Sequence, residues 1–215
     1  MGTRNLTIVK MDGKYRIAQY GQWDGGPKHQ GTTALEFLQT ADLEKFKRQL
    51  NKTIFMGDNS PNIKKINKIF DTVEIACRKT KYKHTIGADN FDLMVAKKTL
   101  SKEDLFLYQC STRDTGAKIL EVIYKAPSKL KEIPLSNSIE FANESLFCEW
   151  AYVVDFDTNT FEVYNGFNKK PLTKKDRFYS RQQSTSKYFG IKLLKSYKLD
   201  KLPTLKTFLK LEPKD

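Results

Sequence analysis

The stretch Asn5-Leu-Thr-Ile-Val-Lys-Met-Asp-Gly-Lys-Tyr-Arg-Ile-Ala-Gln-Tyr20 decides the fold class. Asn5–Met11 and Tyr15–Tyr20 alternate apolar and polar residues, the period of a half-buried strand. Between them stands Asp12-Gly13, a pair that tight hairpins favour because glycine tolerates positive φ. A second pair of alternating runs, Phe147–Asp155 and Thr160–Tyr164, flanks the polar turn Asp155-Phe-Asp-Thr-Asn159. It reads as a second hairpin, with Cys148, Trp150, Tyr152 and Val154 on one face. Tyr188–Tyr197 reads as a late strand, and Phe91–Val95 as a further one.

Helical spacing fills the intervals. Thr33 with Glu36 has the pattern of a capping box and opens a helix through Leu35 and Leu38. A break near Thr40 separates it from Leu43, Phe46 and Leu50. Ser60-Pro61 is an N-cap and first-turn pair before Ile63, Ile66, Ile69, Phe70 and Val73. Ser101 with Asp104 starts a short helix through Leu105 and Tyr108. Ile119, Leu120, Ile123 and Tyr124 form another, stopped by Pro127, and Pro203 begins a last one with Leu205, Phe208 and Leu209. No repeat and no linker divides the chain. The expectation is a single α+β domain over 1–215, antiparallel sheets built from hairpins with packed helices. A strand beginning at the extreme N-terminus also leaves open a layered sandwich like that of N-terminal-nucleophile hydrolases. Removal of Met1 would expose Gly2, however, which carries no nucleophile.

The 215 residues include 38 Lys+Arg against 25 Asp+Glu, a net charge of +13. An aromatic share of 12% argues against disorder, and 11 Gly with 7 Pro exclude a collagen-like chain. No apolar run approaches the roughly 20 residues that span a bilayer, so no membrane partner is expected. Nor does the N-terminus carry the apolar core of a signal peptide. Three cysteines without a C-x-x-C pair fit a reducing, cytoplasmic setting. Two histidines, His29 and His84, make a histidine metal cage unexpected, and no cofactor is implied.

The positive charge is unevenly placed. Residues 132–167 contain seven acids and no base. Lys169–Lys201 holds eleven bases against Asp176 and Asp200, a local charge of +9. Arg78–Lys83 is a second basic stretch. Such surfaces favour anionic partners, including nucleic acid, and equally serve to keep a protein solvated.

Two short segments carry the candidate chemistry. Gly21–Gly31 is glycine-rich and feeds a helix, so its amides and the helix dipole can hold an anion. Lys28 and His29 would add charge, and Trp23 could stack on a base. The spacing matches neither the P-loop nor the dinucleotide fingerprint, and an Ω-type packing loop is the plainer alternative. Arg113-Asp114-Thr115-Gly116 precedes another helix and either grips an anion or simply caps it. Cys148 has no histidine near it in sequence, and a buried structural role suits it better than nucleophilic catalysis.

The opening Met1-Gly-Thr-Arg4, with Gln19-Tyr-Gly-Gln-Trp-Asp24, Pro27 and Gln30-Gly31, resembles a family of small bacterial, phage and fungal proteins without an assigned activity. Ser111-Thr-Arg-Asp-Thr-Gly-Ala117, Ser145–Asp155 and Phe161–Phe167 are similar to its later blocks. Gly26 departs from the aromatic usual there, and Thr112 from a serine. The resemblance implies a shared fold and an origin compatible with phage. It singles out Arg4, Gln22, Trp23, Asp24, Arg113, Asp114 and Glu149 as ligand-binding candidates.

The expected function is binding of a small anionic ligand, a nucleotide or cyclic nucleotide. Arg4 and Arg113 would clamp phosphate, Trp23 would stack, and Gln22 and Asp24 would read ligand donors. In a phage-encoded protein this would sequester a host signalling nucleotide. Nucleic-acid binding through residues 169–201, with Phe178, Tyr179 and Tyr188 stacking, is one alternative. Hydrolysis using Asp24, Asp114 and Glu149 as acid and base is another. A homo-oligomer is compatible with each.

Overall fold

The computed structural model describes residues 2–57, 60–80, 88–181 and 187–212. His84, Lys81 and Lys83 therefore lie outside the described residues. In chain order the elements are β1 (Asn5–Met11), β2 (Lys14–Gly21), α1 (Thr32–Thr40), α2 (Leu43–Leu50), β3 (Thr53–Phe55), α3 (Pro61–Arg78), α4 (Ala88–Thr99), α5 (Lys102–Ser111) and α6 (Ile119–Tyr124). They continue with β4 (Ile133–Leu135), β5 (Trp150–Asp155), β6 (Thr160–Asn165), β7 (Lys192–Lys198) and α7 (Leu205–Phe208). The fold is α+β.

Both hairpins form. Asp12 and Gly13 take φ of 55° and 71°, so both central turn residues are left-handed and the twist matches the flanking strands. The sheet is mixed rather than purely antiparallel. Its order is β2-β1-β5-β6-β7, and β1 pairs parallel to β5 with Asn5 opposite Trp150. The reason is burial: β1 is buried on both faces apart from Lys10, and β5 throughout, so both strands belong in the middle. A parallel neighbour requires a long crossover, and the chain between them supplies it with helices α1–α6. A second sheet contains only β3 and β4, so the described residues do not form two stacked sheets.

The two faces of the large sheet carry different cores. Val9, Met11, Ile17, Trp150, Tyr152, Val154, Phe161 and Val163 pack against the helices. Leu6, Ile8, Ala151, Val153 and Tyr164 pack beneath irregular chain that contributes Ile139, Leu172 and Phe178. Cys148 precedes β5 and joins this second core, not the Trp150 face expected from alternation. Across that face Arg177 pins the covering loop to the strands. Its guanidinium meets Glu162 at 2.9 Å and Asp155 at 2.7 Å.

Three local expectations change. Thr33 caps nothing, because the chain is already helical from Pro27, and its hydroxyl donates to the carbonyl of His29 at 3.1 Å. Phe91–Val95 lies within α4, where Phe91 and Val95 are buried one helical turn apart. The late strand is β7, which starts only at Lys192. Ser60 and Ser101 do act as N-caps, accepting from the amides of Asn62 and Asp104. No helix among the described residues is long and apolar enough to cross a membrane.

Candidate functional site

The Gly21–Gly31 loop and the Thr112–Ala117 turn, whose bonded partners lie up to 91 residues apart in sequence, are one structural unit. The Gln22 amide donates to the Arg113 carbonyl at 3.0 Å. The Trp23 indole donates to Asp114 Oδ1 at 3.2 Å. Gln30 clips both segments, its Oε1 accepting from the Ala117 amide at 2.7 Å and its Nε2 donating to the Trp23 carbonyl at 3.2 Å. Beneath the loop, the Tyr152 hydroxyl donates to the Gly25 carbonyl at 2.8 Å. Position 25 must be glycine for packing: a Cβ there would sit 2.8 Å from the Thr3 carbonyl oxygen.

The anion position expected at the helix start is filled from within the chain. The Lys28 amide donates to Glu212 Oε1 at 2.7 Å. That carboxylate faces the positive end of the helix formed by Pro27–Gly31 and α1. The amides of Gln22, Gly25 and Lys28 through Gly31 are thus engaged by the chain itself, and an open space lies beside the loop.

That space is a cleft of about 560 Å³. Trp23, Arg113 and Asp114 line it from the joined loops, and α3, α4 and α5 contribute Phe70, Glu74, Phe91, Asp92 and Tyr108. Among the described residues that line it, the walls are aromatic, Glu74, Asp92 and Asp114 are carboxylates, and Arg113 is the single basic side chain. The guanidinium of Arg113 is exposed, and no hydrogen bond or ion pair among the described residues engages it. Burial, with the negative charge of Asp92 beside it, pushes the Tyr108 hydroxyl up to about 12. Tyr108 therefore remains a neutral donor at any physiological pH. Asp92 in turn accepts from the Cys77 thiol at 3.1 Å.

The other candidates gather around Tyr20, which feels the charges of both Arg4 and Arg113. The Tyr20 hydroxyl donates to Gln22 Oε1 at 2.6 Å. Burial raises its pKa, while the positive charges of Arg4 and Arg113 both oppose the rise. Arg4 lies over the Phe147 ring at 4.7 Å, and its backbone amide donates to Glu149 Oε1 at 3.2 Å. No carboxylate forms an ion pair with the Arg4 guanidinium among the described residues. Asp24 joins neither group. It is exposed, takes a φ of 53°, and offers its carbonyl to the Gln30 amide.

The structure thus brings together Trp23, Arg113 and Asp114 in the cleft, and Arg4, Gln22 and Glu149 beside it. Phe70, Glu74, Phe91, Asp92 and Tyr108 were missed. Their spacing is that of an ordinary core stripe, and only the acids Glu74 and Asp92 among the aromatics hint at a lined cavity. Cys148 is fully buried, and burial pushes its thiol far above the ordinary range, with Glu144 and Glu149 adding to the rise. In the basic segment, Phe178 is fully buried and Arg177 is spent on Glu162 and Asp155, so neither faces a partner. Among the described residues no cluster of His, Cys, Asp and Glu is arranged to hold a metal ion. No family model matches this chain, and no curated protein or solved structure matches it.

Proposed function

We propose that the protein binds a small phosphorylated ligand bearing a planar ring, a nucleoside monophosphate or cyclic nucleotide, in the cleft between Trp23 and Tyr108. The observation that carries this reading is Arg113. It lines the aromatic cleft, its field reaches Tyr20 together with that of Arg4, and its guanidinium lacks a counterion among the described residues.

A phosphate held by Arg113 and Arg4 would gain charge-assisted hydrogen bonds. A base lying against Trp23 would gain stacking worth about 1–3 kcal/mol. Glu74, Asp92 and Asp114 are acceptors suited to ring N–H and exocyclic amino groups. The carboxylates also oppose a polyphosphate: Glu74 is paired with Arg78, but Asp92 and Asp114 would face its several negative charges with only Arg113 and Arg4 to offset them. This narrows the ligand to one bearing a single phosphate group.

Isothermal titration calorimetry against nucleosides, nucleoside monophosphates, cyclic nucleotides and nucleoside triphosphates tests the reading. Binding restricted to singly phosphorylated members supports it. Heat from none of them, or preference for triphosphates, removes it.

A further inference from the structure

The register of the large sheet places several strand ends level. Asn5 pairs with Trp150, Trp150 with Asn165, and Asn165 with Lys192. The residues just beyond these positions therefore share one end of the sheet. At the β6–β7 side of that end lies an open groove of about 570 Å³, bordered by Phe167, Asn168, Lys169, Lys170, Tyr188 and Lys192, with Asn165 and Gly166 at its base. None of these residues is acidic.

Phe167 is the unusual member. It is 55% exposed and takes a φ of 55°, a conformation that a bulky side chain rarely adopts. The surroundings impose it. A Cβ at Gly166 would lie 2.3 Å from the Cys148 carbonyl oxygen, so the chain is pressed against the preceding loop. The Phe167 amide donates to the Ser145 carbonyl at 2.6 Å, and the Asn168 amide to Ser145 Oγ at 3.1 Å. Asn168 Nδ2 reaches the carbonyls of Lys170 at 2.8 Å and Gly190 at 2.9 Å. A braced backbone thus holds an aromatic ring out into solvent, which core packing does not require.

The charges around it are poised for an anion. Lys169 Nζ lies 5.7 Å from the centroid of the Tyr188 ring. Lys169 and Lys170 are exposed, and no ion pair among the described residues engages either. Lys192 is held by Asp176 at 2.8 Å. The exposed Phe167 ring and the half-buried Tyr188, interleaved with lysines that no carboxylate among the described residues engages, match the needs of a chain that alternates phosphates and flat bases. We propose that this groove binds single-stranded nucleic acid, with Phe167 and Tyr188 as stacking platforms and Lys169 and Lys170 on the phosphates. The site is separate from the Trp23 cleft and does not depend on the ligand proposed there. A lipid surface fits less well, because the rings are flanked by polar Asn165 and Asn168.

Fluorescence anisotropy of a labelled oligothymidylate at low salt tests this on the full chain. Binding is expected, weakening as salt rises with a slope of about 0.7 per phosphate contacted. The exposed pair K169E/K170E should lower affinity at least tenfold, Phe167→Ala several-fold, and Phe167→Trp should retain it. Circular dichroism checks that each variant is folded, and the lysine pair carries the test if Phe167→Ala is not. Absence of binding at low salt overturns the proposal. So does affinity indifferent to the lysine pair, or sedimentation with anionic phospholipid vesicles in a protein that ignores the oligonucleotide.

Discussion

The indole Nε1 of Trp23 donates to Oδ1 of Asp114 at 3.2 Å, tying the N-terminal glycine-rich loop to the turn before α6. One hydrogen bond thereby fixes the ring that walls the cleft and the carboxylate that faces into it. Trp23→Phe keeps a ring and removes the donor. A loss of about 1 kcal/mol in unfolding free energy is expected from urea titration. Asp114→Asn retains an acceptor oxygen and should cost less. Equal stability of wild type and Trp23→Phe would show that the bond does not hold the two segments together.

Arg177 tests how the irregular chain over the second core is held. Its guanidinium faces Glu162 and Asp155, both nearly excluded from solvent. Arg177→Met leaves Glu162 without its cation and Asp155 with only the more distant Lys10 at 3.9 Å, and should destabilise the fold by about 3–5 kcal/mol. Arg177→Lys should recover only part of this, since an ammonium cannot reproduce the planar fork that meets both acids. Guanidinium denaturation of the three proteins measures the series. A loss below about 1 kcal/mol for Arg177→Met would mean that water, not this ion pair, satisfies the acids.

Acid should weaken the same loop. Lys192, hydrogen-bonded to Asp176 at 2.8 and 3.0 Å, holds that carboxyl below its ordinary value of 3.8. A carboxylate with a depressed folded-state pKa stabilises the fold above its ordinary pKa. That contribution fades as pH falls through the lower, folded value. The melting temperature should therefore drop below about pH 4, and Asp176→Asn should flatten this acid limb. Parallel acid limbs in the two proteins would contradict the assignment.

Cys110 and Cys148 should be silent toward thiol reagents in the native protein. Both are fully buried, and burial raises each thiol far above the ordinary range. Iodoacetamide labelling followed by peptide mass spectrometry should find neither modified until denaturant is added. Rapid native labelling of Cys148 would reopen a nucleophilic role.

Much of this architecture was legible in the sequence because it rests on local rules. Asp12-Gly13 announces its turn through the conformation it must adopt, and Ser60 and Ser101 announce helix starts through the amides they satisfy. The parallel pairing of β1 with β5 was not legible, because alternation specifies a face and not a neighbour. Only the two-sided burial of both strands, a property of the assembled core, forces them together. The site divides in the same way. Trp23, Arg113 and Asp114 stood out as polar or aromatic residues in turn-rich segments. Phe70, Phe91 and Tyr108 are spaced like any core stripe, and their place in a cleft wall arises from how three helices meet. Glu212, which fills the helix N-terminus, lies 184 residues from its partner Lys28, and nothing local links them.

In the function we propose, Arg113 anchors a singly phosphorylated ligand in the cleft beside Trp23. Calorimetric titration of wild type and Arg113→Gln with the same nucleoside monophosphates and cyclic nucleotides tests it most directly. Because Arg113 is exposed and unpaired among the described residues, the substitution should leave stability within about 0.5 kcal/mol. Wild type should bind, and Arg113→Gln should lose at least tenfold in affinity, about 1.4 kcal/mol. Identical affinities, or heat from neither protein, would contradict it.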